Sequence, residues 1–194
     1  MPLRGLDRIR ALKSLARTGW LQSGVPPGEA ETVADHSFES AVISLLMALE
    51  CRRRGVEVDP LKAAVLALLH DLPEAVTGDI PRWSKERVTQ GQPDIFDTLD
   101  REALRELGIG ELEQFIAEFS GRKSPEAVVA RVAELTSTWL QALAYRDRGY
   151  KTERIGEWAL NEAKRVAELA GGELGRALIE ALNGFEPEPL KRSR

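Results

Sequence analysis

Apolar residues recur along most of the chain at the three- and four-residue spacings of amphipathic helices. Leu61, Ala64, Val65, Leu68 and Leu69 form one such face. Asp59 before Pro60 supplies its N-cap and a first-turn proline. Phe38, Val42, Leu45, Leu46 and Leu49 form a second stripe, closed by Arg52, Arg53, Arg54 and Gly55. Ser124-Pro125-Glu126 opens a third helix in the same way. Val128, Val132, Leu135, Trp139 and Leu143 line it until Gly149. The spacing predicts a fourth helix over residues 152–170 and a fifth over 173–182, with shorter ones near 3–16, 97–107 and 111–119. Residues 81–94 read as a loop or a broken helix. No pair of alternating β-branched segments flanks a turn. The expected fold class is therefore all-α, one compact helical domain over residues 1–184 with a frayed tail at 185–194.

Composition narrows the function classes. The 194 residues suit one domain, and 43% hydrophobic with 30% charged residues argues for a globular chain. Lys and Arg total 27 against 31 Asp and Glu, a net charge of −4. That balance argues against a general nucleic-acid or anionic-membrane binder. The strongest apolar run, residues 63–69, falls far short of the roughly 20 needed to span a bilayer. The N-terminus is basic, but Arg17 to Trp20 match a folded-domain motif given below, so a cytoplasmic protein is expected rather than one carrying a transit peptide. Cys51 is the single cysteine, which excludes an intrachain disulfide and a cysteine-based zinc cluster. His36 and His70 are the only histidines. Any imidazole chemistry must use them.

The densest polar cluster follows the most apolar helix: His70-Asp71-Leu72-Pro73-Glu74, then Gly78-Asp79-Ile80-Pro81. Charged groups buried there without partners would cost several kcal/mol. A divalent cation at the helix edge would recover that cost, because His70 and Asp71 leave a helix about 100° apart and can converge on one ion. Pro73 cannot donate to the Leu69 carbonyl, so the helix should loosen there. Gly78 and Pro81 then turn Asp79 back towards the cluster. The bland alternative is a helix-ending His-Asp pair with Glu74 and Asp79 in solvent. His36, in Glu31-Thr32-Val33-Ala34-Asp35-His36-Ser37 at the start of the second helix, is the only imidazole available to join His70.

These residues resemble the H…HD…D signature of the HD-domain metal-dependent phosphohydrolases, and most closely their 5′-deoxynucleotidase branch. The resemblance runs over about residues 10–150. It rests on Arg17-Thr18-Gly19-Trp20, Glu31-x-Val33-Ala34-x-His36-Ser37, His70-Asp71-x-x-Glu74-Ala75-x-x-Gly78-Asp79-Ile80 and Leu140-Gln141-Ala142-Leu143-x-Tyr145. It implies an HD-domain helical bundle with one divalent metal held by His36, His70, Asp71 and a later carboxylate. The family has Asp at that last position and this chain has Glu134. By the same resemblance Glu74 is the acid/base, Arg17 contacts phosphate, Asp79 is a catalytic and substrate-binding residue near the sugar and the metal-bound water, and Trp20 packs near the nucleoside.

The implied function is metal-dependent hydrolysis of (deoxy)nucleoside 5′-monophosphates to nucleoside and phosphate. Mn²⁺ or Co²⁺ is the implied ion, with Mg²⁺, Zn²⁺, Ni²⁺ and Fe²⁺ also compatible with mixed nitrogen and oxygen donors. A two-histidine, two-carboxylate site leaves no imidazole for proton transfer, which moves that task to Glu74. Hydrolysis of a cyclic nucleotide or an alarmone is an open alternative, as is a metal- or nucleotide-binding regulatory protein without turnover. A homodimer is compatible with the resemblance, and the helices at 124–149 and 152–170 could supply its interface.

Overall fold

The structure, a computed structural model, describes residues 5–91 and 94–185. The chain opens with α1 (Leu6–Ile9), a 3₁₀ turn (Arg10–Lys13) and α2 (Thr18–Gln22). The long α3 (Val33–Arg53) follows, then α4 (Pro60–Leu69), α5 (Glu74–Thr77), α6 (Arg82–Thr89) and α7 (Ile95–Glu106). A second 3₁₀ turn (Gly110–Leu112) leads to α8 (Glu113–Gly121), α9 (Pro125–Asp147), α10 (Glu153–Ala170) and α11 (Gly172–Gly184). Among the described residues there is no strand, only an isolated bridge between Ala16 and Thr32. The fold is all-α. No described helix is long and apolar enough to cross a membrane. The expected tail lies, after Phe185, outside the described residues.

Local chemistry explains the long helices. Thr32 caps α3 through a reciprocal box with Asp35. Asp59 accepts from Leu61 and Lys62 backbone N–H groups at the start of α4, and Ser124 accepts from Ala127 at the start of α9. Prolines at the first turn of α4 and α9 lose no helical hydrogen bond. Within the segment read as a loop or a broken helix, Arg82–Thr89 form a helix. Pro81 occupies the N-cap of α6, where its missing N–H costs nothing, so proline starts a helix there instead of breaking one.

Helix α9 is the central element and packs against α3, α4, α8, α10 and α11. Its faces are covered by Val129, Ala130, Val132, Ala133, Leu135 and Trp139 within the core. Gly156 lets α10 approach it closely, since a Cβ there would stand 2.9 Å from the Ala142 Cβ. The second stripe also differs. Helix α3 turns Ile43, Ser44, Met47, Ala48 and Cys51 inward, while Phe38, Val42, Leu46 and Leu49 face out. Helix α4 buries Ala63, Leu66 and Ala67 and exposes Leu61, Val65 and Leu68. The inward faces of α3 and α4 mix serines and alanines with Ile43, Met47 and Leu66, and the other bulky residues of the two stripes lie on the outer face.

Candidate active site

Three connections bring the cluster together. His36 sits in the first turns of α3, and His70 directly follows α4, which packs beside α3. The Arg17 strand segment is pinned to the start of α3, with Arg17 N–H donating to the Glu31 carbonyl at 3.0 Å and Val33 N–H to Leu15 at 2.9 Å. As the sequence predicts, α4 stops before Pro73, and a turn over 70–73 leads into α5. Gly78 then adopts φ 75° and ψ 166°, a region open essentially to glycine. That turn returns Asp79 to Thr18, whose N–H and hydroxyl donate to the Asp79 carboxylate and carbonyl.

Ligand atoms of His36, His70 and Asp71 all lie within 4.8 Å of one another. His70 Nε2 is 3.1 Å from Asp71 Oδ2, and His36 Nε2 is 3.9 Å from the same oxygen. The donor set fits a divalent cation. His36 Nε2 is buried and has no hydrogen-bond partner, which is costly unless something else occupies its lone pair. His70 Nδ1–H donates to the Ala67 carbonyl at 2.7 Å, which leaves Nε2 free to bind. Burial, helped by Arg17 and His70, lowers the His36 pKa and keeps it in the neutral, ligating form. Asp71 stays ionised despite burial because the two histidines and Lys85 hold its pKa well below the ordinary value.

Glu134 stands at the edge of this set. Its Oε2 is 3.9 Å from His36 Nε2, while Oε1 makes a charge contact at 2.5 Å with Arg131 Nη1 that lacks hydrogen-bond geometry. The structure therefore brings His36, His70 and Asp71 into one group but leaves Glu134, the fourth ligand expected from the sequence, outside it, approaching His36 alone.

Arg17 is held against the inner histidine. Its Nη1 lies 3.1 Å from His36 Nδ1 and 3.2 Å from both Glu31 Oε2 and Thr138 Oγ1. Burial works against its charge, but Glu31, Asp71, Glu134 and Asp79 outweigh it and raise the pKa. Trp20 is almost fully buried, edge-on to Tyr145, and its indole N–H donates to Glu31 Oε2 at 2.7 Å. It is a wall of the site and a support for Arg17 through Glu31, with its polar handle already spent.

Glu74 is buried, and desolvation with the nearby Asp71 charge pushes its pKa up to about 9 against partial relief from Lys85. Lys85 Nζ lies 3.4 Å from Glu74 Oε1. Burial opposes the Lys85 charge, yet Asp71, Glu74 and Asp79 raise its pKa.

Sequence reasoning left three site residues unread. Lys85 looked like part of a solvated loop. Glu31 carried no signal beyond its place in the motif. Ser137 is the third. It lies 3.2 Å from His36 Nδ1 and donates to Glu39 Oε2 at 2.7 Å. With that hydroxyl proton committed, Ser137 Oγ offers an acceptor to His36 Nδ1–H, the tautomer that would leave Nε2 for a metal, while Arg17 Nη1 faces the same nitrogen as a donor.

Two clefts flank the cluster. One of about 500 Å³ is lined by His70, Asp71, Glu74, Lys85, Asp100 and Arg131. The other, of about 920 Å³, is lined by Arg17, Trp20, Asp79, Arg82, Arg154 and Trp158. Both are of ligand size.

Comparison with known proteins matches residues 9–170 to the HD domain. The chain belongs to the HD-domain family. This HD-domain protein is 27% identical over 162 residues to the human protein named 5′-deoxynucleotidase HDDC2, covering 80% of this chain and 74% of that one. The Dictyostelium discoideum protein of the same name is 28% identical over 147 residues, 73% of this chain and 76% of its own. Among solved structures, the PH0347 protein from Pyrococcus horikoshii superposes with a TM-score of 0.77 at 33% identity, covering 93% of this chain and 95% of that one. A conserved hypothetical protein from Pyrococcus furiosus gives 0.78 at 29% identity, covering 93% and 96%. The family, the relatives and the donor cluster agree: this HD-domain protein is a metal-dependent phosphohydrolase.

Proposed function

We propose that this chain hydrolyses nucleoside 5′-monophosphates, the deoxy series foremost, to nucleoside and phosphate. The observation that carries this reading is the His36–His70–Asp71 cluster with the Arg17 guanidinium against its inner histidine. The names of the relatives support the substrate class. His36 Nε2, His70 Nε2, Asp71 and Glu134 are the proposed ligands, with Mn²⁺ or Co²⁺ as the ion. When bound, such a cation polarises a phosphoryl oxygen and acidifies a water.

The chain's own residues do the rest. Arg17 is fixed by Glu31 and Thr138, so its remaining donors are aimed without further ordering at an anion beside His36. It offsets charge on the phosphoryl oxygens as they become more negative. Glu74 is the group placed to move a proton. Its raised pKa in the metal-free protein keeps a proton on the carboxyl at neutral pH, and added positive charge nearby lowers that value into a working range. Lys85 steadies the ionised form. Asp79, anchored by Thr18, lines the larger cleft together with Arg17, where a sugar hydroxyl can be held.

The test compares phosphate release from matched deoxy- and ribonucleoside 5′-monophosphates by the wild type and by Glu74→Ala. The wild type should prefer the deoxy series. The variant should bind Mn²⁺ as the wild type does and lose about 100-fold or more in kcat. Equal turnover by Glu74→Ala overturns the assignment of the proton to Glu74, and turnover of cyclic nucleotides alone overturns the substrate class.

A further inference from the structure

We propose that Trp158 and Arg82 form the subsite that takes the base of the nucleotide, and that it favours purines. The subsite rests on the nucleoside 5′-monophosphate reading and gives the base its contact. Arg17, Asp79, Arg82 and Trp158 line one cleft of about 920 Å³. Arg17 and Asp79 account there for a phosphate and a sugar hydroxyl. A nucleobase is flat and uncharged, so what it needs beyond them is a fixed aromatic face. Three tryptophans line this cleft. Trp20 is 2% exposed and its indole N–H is bound to Glu31, so it has no face to offer. Trp83 is 69% exposed on α6, a helix that buries none of its residues, so the core does not hold its ring. Trp158 alone of the three meets both needs. It packs against the main core, and its ring borders the cleft.

A planar group already lies on that ring. The Arg82 guanidinium carbon is 4.0 Å from the Trp158 ring centroid, a stacking distance. It covers the face that a base would use, and it can yield. The Arg82 side chain is 47% exposed, and its Nε pairs with Glu86 one turn on, a contact that travels with α6. The base therefore enters between the two, with the indole on one side and the guanidinium on the other. The backbone ties this pair to the rest of the site. Arg82 stands three residues after Asp79, on the segment that Gly78 turns back towards Thr18. Ile155 and Trp158 share a face of α10, and a Cβ at Gly19 would stand 3.7 Å from Ile155 Cδ1, so that face lies against the segment carrying Arg17. A purine lays two rings on the indole and a pyrimidine one, so stacking strength favours the purine.

The test uses 2′-deoxyadenosine 5′-monophosphate, thymidine 5′-monophosphate and the base-free 2-deoxyribose 5-phosphate with the Mn²⁺-loaded protein. Turnover gives kcat and KM, and calorimetry in a Glu74→Ala background gives affinity without consuming the ligand. Affinity should fall from adenine to thymine to the base-free compound. Trp158→Ala should weaken the adenine compound about 10-fold or more, in KM rather than kcat, and the base-free compound by less than about 3-fold. Trp158→Phe, which keeps an aromatic face, should recover most of the loss. Arg82→Ala, at an exposed side chain, should weaken adenine about 3-fold and thymine less. Equal losses for all three compounds in Trp158→Ala overturn the subsite and leave the proposed function. So does base discrimination that survives there and vanishes in Trp83→Ala. If Trp158→Ala fails to fold, an Arg82→Ala protein that binds all three as the wild type does overturns it. Base-dependent affinity without turnover of any of the three overturns the proposed function and leaves the subsite. Failure to bind any of them overturns both.

Discussion

Whether His36 Nε2 can take a metal depends on which ring nitrogen holds the proton, and two neighbours of Nδ1 act on that choice. Ser137 sits between His36 Nδ1 and Glu39, and this relay favours the imidazole proton on Nδ1, against the Arg17 donor that faces the same nitrogen. Ser137→Ala should weaken Mn²⁺ binding about 10-fold by calorimetry without changing the fold, and an unchanged affinity would contradict the relay. Glu134 is the other residue on which the site turns. If its Oε2 joins the cluster, Glu134→Ala raises the Mn²⁺ dissociation constant by about 10-fold or more. An unaltered constant would mean that the protein supplies three ligands, with Arg131 keeping Glu134 for itself. His36, His70, Asp71 and Glu74 were legible in sequence because few other residues could supply their chemistry. Ser137, Glu31 and Lys85 were not, since a serine in a helix or a lysine after a proline reads the same whether solvated or buried. Only the packing of α9 against α3 brings Ser137 to His36.

At the scale of elements, the starts of α4 and α9 were legible because Asp-Pro and Ser-Pro pairs carry their own hydrogen-bond logic. The facing of α3 was not. Hydrophobic spacing marks the greasiest side as the inside, but α3 meets the α9 core through Ile43, Met47, Ala48 and Cys51. Local periodicity cannot report which face a neighbour will claim. Helix α7 brings a further titratable group beside the smaller cleft. Burial, with the Asp71 and Asp97 charges, pushes the Asp100 pKa up to about 6 from an ordinary 3.8, with Lys85 opposing. A raised carboxyl contributes stability below the unfolded value and loses it as pH rises through the folded one. In the metal-free protein, Asp100→Asn should therefore raise the melting temperature at pH 8 and leave it nearly unchanged at pH 4. A shift of equal size at both pH values would contradict the burial of that charge.

At the scale of the molecule, a helical hairpin and a central helix hold two histidines and an aspartate in one place while Arg17 arrives from the N-terminal segment. Residues of the cluster come from distant parts of the sequence, so its assembly reports the whole fold. The chain carries a net charge of −4, yet around this cluster Arg17, Lys85 and Arg131 supply the positive field that a phosphate monoester needs. The most direct measurement is phosphate release from a deoxynucleoside 5′-monophosphate by protein stripped of metal, before and after Mn²⁺ or Co²⁺ is restored. The account predicts negligible release from the stripped protein, recovery with added metal, and no recovery in His70→Ala. Release that is equally fast without metal, or that metal restores fully in His70→Ala, would contradict it.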